Sequence, residues 1–138
     1  MEELEISVSH EQGRVPVTVF HLKGRANLGT IERLQTKAQE TVRAGARHLL
    51  LDLGEVLSLT SAGLRAIHNI HTLLRDAALE QDADARRQAE EASRPPVQKS
   101  PHLKLVNPRP EVLRVLKIAG YDKFLEIHDD WQEAVASF

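Results

Sequence analysis

The sequence predicts an α/β fold: a mixed, mostly parallel sheet of about five strands, with helices packed against it and a β-hairpin at the start. Three observations carry this reading. After two β-rich runs, short apolar runs alternate with segments whose apolar residues recur at helical spacing. The run HLLLDL at 48–53 is almost continuously apolar, the pattern of a strand covered on both faces. A short turn containing Gly13 joins the first two runs.

The elements follow in order. LEISVS at 4–9 alternates, with Leu4, Ile6 and Val8 on one face. A polar turn at 11–14 leads into VPVTVFHL at 15–22, where Pro16 requires an edge or a strand start. Thr30 stands as an N-cap before Ile31, Leu34, Ala38 and Val42, which share a helical face, and Gly45 stops that helix. The strand at 48–53 follows, and Asp52 is read as ending it and bonding backbone amides. From Ser61 the period changes, and Leu64, Ile67, Ile70 and Leu74 line one face of a second helix. LKLVN at 103–107 reads as a strand stopped by Pro108. Pro110 opens a helix through Val112, Leu113, Leu116 and Ala119, ended by Gly120. A short strand is expected at 124–128, then a last helix, WQEAVASF, with Asp130 and Glu133 as a capping box and Trp131 as its anchor.

One domain spanning 1–138 accommodates all of this. Residues 76–101 interrupt the rhythm as a charged insertion. Between Asp76 and Arg94 six acids and three arginines leave a local charge of -3. The composition favours a solvated extension of the preceding helix, with Asp82–Arg86 a favourable pair and Arg86–Glu90 and Arg87–Glu91 weaker reversed ones. A flexible link at Pro95 and Pro96 follows.

Composition excludes several classes. A net charge of -2 gives no electrostatic reason for a nucleic-acid partner, and Arg14, Arg25 and Arg65 form no basic stripe. With no cysteine there are no disulfides, thiol nucleophiles or thiolate metal sites. The N-terminal stretch has no basic patch leading into an apolar run, and no apolar segment approaches a membrane span, so a cytoplasmic protein is expected. His68 and His71 lie three apart on a helix without an evident third ligand, so no metal is expected. Neither a phosphate loop nor a dinucleotide fingerprint is present, no convincing nucleophile–base–acid set is visible in the chain, and Ser61 does not sit in a G-x-S-x-G elbow. The chain reads as a non-enzyme without a cofactor.

Chemistry concentrates where the third strand hands over to the second helix. Thr60 and Ser61 stand beyond the carboxyl end of a strand, where α/β sheets present their binding surfaces. Hydroxyls there serve as N-caps, each worth about 1 kcal/mol over Ala. They are also exposed groups for a partner to read. Gly63 allows close packing or close approach.

The segment DLGEVLSLTSAGLRAI resembles the signature of STAS domains, the fold of bacterial anti-sigma factor antagonists, with Thr60-Ser61-Ala62-Gly63-Leu64 at its centre. GRANLGT resembles the family's Gly-Glu-Leu-Asp turn, read here as Gly24-Arg25-Ala26-Asn27, and LKLVNPRPEVLRVLKIAGYDKFLEIHDDWQEAV resembles its final strand-helix-strand-helix. Only residues 76–101 fall outside the resemblance. It implies a STAS-like fold and a partner that is an anti-sigma factor with serine kinase activity, whose capture releases a sigma factor. It implies phosphorylation of Ser61, with Thr60 as the alternative acceptor, as the step that breaks the complex. The implied docking residues are Asn27, Thr60, Ser61, Ala62, Gly63, Arg65 and His68, and a weak homodimer is allowed. Two positions depart from the pattern: Thr60 replaces the acid before the serine, and Asn27 replaces the acid of the earlier turn. An unswitched scaffold subunit of a stress-signalling or lipid-transport ATPase complex is the alternative.

Overall fold

The computed structural model describes residues 4–81 and 99–138. Its elements are β1 (Leu4–Gln12), β2 (Pro16–Ala26), α1 (Ile31–Arg43), β3 (Leu49–Leu59), α2 (Ser61–Gln81), β4 (Leu103–Val106), α3 (Pro110–Ile118), a 3-10 turn (Tyr121–Lys123), β5 (Glu126–His128) and α4 (Trp131–Ala136). The five strands lie in the order β1-β2-β3-β4-β5. β1 and β2 form the antiparallel hairpin, and every later pairing is parallel.

The leucine run of β3 shows why the sheet is buried on both faces. Leu49 and Leu51 face the larger core, with Leu34, Ala38 and Val42 of α1, Ile67, Ile70 and Leu74 of α2, and Val112 and Leu116 of α3. Leu50 faces the other way, into a smaller cluster with Val17, Val19, Val106, Ala134 and Val135 that Trp131 and Phe138 flank.

β3 is longer than the apolar run that announces it. Its pairing with β4 stops at Asp52↔Val106, whereas pairing with β2 continues through two irregularities to Ala26↔Leu59. Past Asp52 the strand has a neighbour on one side only, so it tolerates Gly54, Glu55 and Ser58. Asp52 therefore does not end the strand. It bonds one backbone amide, that of Gly54, at 3.0 Å.

Several terminators are where the residue types place them. Gly45 and Gly120 take positive φ, at 111° and 80°, just past α1 and α3. Pro110 occupies the first turn of α3, and Asp130 Oδ1 accepts the Gln132 N–H at 2.8 Å. Thr30 differs from expectation. It holds the N-cap position of α1, but its hydroxyl makes no cap bond. The hydroxyl turns back instead, donating to the Arg25 carbonyl at 2.6 Å and accepting the Asn27 N–H at 3.0 Å. The last strand starts at Glu126 rather than 124, because the 3-10 turn consumes the residues before it. The helical extension of the insertion is present as far as Gln81. The pairs at 82–91 and the link at Pro95 and Pro96 lie outside the described residues.

Buried polar groups cluster at the lower end of β4. Lys104, 3% exposed, places Nζ 2.9 Å from Glu126 Oε2 and 2.7 Å from the Ser137 carbonyl. Burial alone would raise the Glu126 carboxyl, but the hydrogen bond and charge of Lys104 outweigh it and hold the group below its ordinary value. His48, His71 and His102 are all held below the ordinary histidine value, chiefly by burial. Nearby cationic groups add to this for all three, and at His102 a bond to the Arg47 carbonyl pulls the other way. The sign follows from linkage. Below pH 6.5 the unfolded chain takes up protons that the folded histidines refuse, so stability falls with pH. Glu126 adds a second loss, in more acid solution, as pH drops through its depressed folded value. The melting temperature is expected to be lower at pH 5 than at pH 7.5. The triple variant His48→Gln, His71→Gln, His102→Gln should flatten the profile over that interval. An equally steep profile in the variant would show that other groups set it.

Candidate functional site

The site is built where β2 and β3 end side by side. Ala26 pairs with Leu59, and the Ala26 carbonyl accepts both the Thr60 N–H at 3.1 Å and the Thr60 hydroxyl at 3.2 Å. Thr60 Oγ1 also accepts the Gly63 N–H at 3.4 Å, a cap on the first turn of α2. From the other side, the Tyr121 hydroxyl donates to the Leu64 carbonyl at 2.7 Å. Burial pushes that hydroxyl's pKa up, against the opposing pull of Arg65.

Gly63 sets how closely the helix meets the sheet. A Cβ there would lie 2.5 Å from the Ala26 carbonyl oxygen and 2.7 Å from Leu59 Cδ1. The glycine is buried beneath the surface, and its contribution to any docking face is the packing that places the face.

The neighbouring turn is locked by its own side chains. Asn27 Oδ1 accepts the Gly29 N–H at 2.9 Å, and Thr30 bonds back across the same turn. At its tip Leu28 is 80% exposed. The backbone bonds from Thr60 to Ala26 bring this turn alongside the start of α2. Asn27 and Thr60 each supply a neutral oxygen that caps a backbone N–H. A carboxylate could do either job, so the two departures from the family pattern remove charge without removing the local fold.

Ser61 is the first residue of α2 and is exposed. Its hydroxyl has no hydrogen-bond partner among the described residues. The first turn of α2 carries no acidic residue, whereas those of α1, α3 and α4 carry Glu32, Glu111 and Glu133. Amide N–H groups at a helix start lack intrahelical acceptors and favour negative charge. Arg65 is exposed one turn further along, on the side of the helix that Ser61 occupies. His68 is exposed another turn on, its ring 6.0 Å from that of Phe124. Ala62 is half-buried. Asn27, Thr60, Ser61 and Ala62 thus lie where β2 and β3 end, and Arg65 and His68 follow along the exposed side of α2.

His71 does not join them. It packs on Phe124 with ring centroids 5.4 Å apart, and its Nδ1 is buried without a partner. Leu28 and Tyr121 were missed by sequence reasoning. Leu28 gives no periodic signal within a turn, and Tyr121 reaches Leu64 over 57 residues of sequence. No helix among the described residues is long and apolar enough to cross a membrane.

The STAS domain family matches residues 8–80, more than half of the chain. No curated protein sequence matches it. Solved structures that share the fold include the following three. An anti-sigma factor antagonist from Mycobacterium paratuberculosis superposes with a TM-score of 0.70 at 18% identity, over 97% of this chain and 92% of that one. An anti-sigma-factor antagonist (STAS) domain protein from Planctomyces limnophilus gives 0.64 at 18% identity, over 98% and 96%. The Bacillus cell fate determinant SpoIIAA in its phosphorylated form gives 0.58 at 14% identity, over 95% and 96%.

Proposed function

The chain belongs to the STAS domain family, and we propose that it is an anti-sigma factor antagonist that docks through the face around Asn27 and the first turns of α2. The observation that carries this reading is Ser61, exposed and unpartnered at the first position of that helix. The partner is an anti-sigma factor with serine kinase activity, and its capture frees a sigma factor. The kinase then phosphorylates Ser61.

The switch follows from charge and shape. A phosphate adds about -1.5 to -2 charges and three acceptor oxygens. On the free domain these meet unpaired helix N–H groups and Arg65, so the domain tolerates them. In the complex the same group must be desolvated against the partner, and the interface opens.

The alternative is a scaffold subunit that holds an ATPase without switching. The neutral Thr60 and Asn27 favour it, because neither supplies a carboxylate for a kinase to read. Co-purification from the native host, followed by phosphosite mapping, separates the two. Recovery of a kinase-type anti-sigma factor with phosphate on Ser61 supports the switch. Phosphate on Thr60 alone relocates the acceptor, and recovery of a transporter ATPase without a kinase supports the scaffold.

A further inference from the structure

On the sheet face that α4 partly covers, away from Ser61, three strands bring together a hydroxyl, an imidazole and a carboxylate. Ser9 of β1 places Oγ 2.9 Å from His21 Nε2 on β2. His21 Nδ1 donates to Asp52 Oδ2 on β3 at 3.0 Å, and Asp52 Oδ1 is held by the Gly54 N–H at 3.0 Å. With Nδ1–H donating to the carboxylate, Nε2 is left to accept from Ser9. Trp131 stacks on the imidazole, centroids 5.3 Å apart and planes 17° from parallel, which fixes the ring. Beside His21 lies a cleft of about 370 Å³, bounded in part by Ser7, His21, Asp52, Gly54 and Asn107, within the range of small-molecule sites. Ser9 stands two residues along β1 from its Ser7 wall. Sequence spacing did not reveal this set, because its members are 12 and 31 residues apart.

We propose that Ser9 is a nucleophile that accepts acyl groups from small activated esters, with His21 as its base and Asp52 as the positioning residue. Ser9 Oγ attacks the ester carbonyl carbon. The Oγ–C bond forms, the bond to the leaving alcohol oxygen breaks, and His21 carries the Ser9 proton to that oxygen. The products are acyl-Ser9 and the free alcohol. Ser7 lies on the same face, in register with His21 across the β1–β2 pair, but the imidazole hydrogen bond goes to Ser9, so Ser7 serves as an internal control.

The test is timed acetylation of the full chain by p-nitrophenyl acetate, read by peptide mass at each serine. Ser9 should be acetylated on the order of 100-fold faster than Ser7 in the parent protein. His21→Gln should reduce Ser9 to the level of Ser7. Asp52→Asn should slow it and shift its pH profile, with partial rescue by Asp52→Glu. Equal labelling of Ser9 and Ser7 in the parent protein overturns the proposal even if the variants fold poorly. So does a Ser9 rate unchanged by His21→Gln.

Discussion

Ser61→Asp is expected to weaken the complex with the anti-sigma factor by about 100-fold or more, whereas Ser61→Ala keeps parent-like affinity. A new carboxylate at the first position of α2 would be buried against the partner without a designed counter-charge, and such misplaced charges cost several kcal/mol. The effect on the free domain has the opposite sign. No acid occupies the first turn of α2, so an aspartate there gains about 0.3–1 kcal/mol from the helix dipole. Calorimetric titration with the partner and thermal melting of the free protein together identify the cause. Lost binding with an unchanged or raised melting temperature places the effect at the interface. Parent-like binding by Ser61→Asp would end the switch reading.

The second large effect is at Gly63. In an ordinary helix interior Gly→Ala stabilises by about 0.5–1 kcal/mol. Here the added methyl would sit 2.5 Å from a backbone oxygen that already accepts two bonds from Thr60. The helix must retreat, or the β2–β3 end must open, at a cost of about 1–3 kcal/mol. Gly63→Ala should therefore lower the urea midpoint, and Gly63→Val should lower it further. Partner affinity should fall as well, because the displaced turn carries Ser61. A midpoint raised by Gly63→Ala would show that the contact yields easily.

The order of elements was legible because each left a local mark: alternation in β1, the leucine run of β3, Pro110 before α3, Gly45 and Gly120 after helices. What the sequence hid depends on neighbours far along the chain. The second half of β3 looks like a turn, since GEVLS is half polar, and only the continued pairing with β2 makes it a strand. Thr30 carries the type of an N-cap, yet the tighter turn at Asn27 captures its hydroxyl. For the docking face, the motif located Ser61 and its helix, but the packing role of Gly63 and the exposure of Leu28 belong to the assembled turn. The relay of Ser9, His21 and Asp52 is visible only once three strands are laid side by side.

In the proposed complex the partner covers the end of the sheet bearing Asn27 and the start of α2 bearing Ser61. Amide hydrogen exchange of the complex against the free protein tests it most directly. Exchange is expected to slow at 26–31 and 60–68 on binding and to recover when Ser61 is phosphorylated, with β1 and α3 unchanged. Protection confined to β1 or to α3, with 60–68 exchanging as in the free chain, would contradict it.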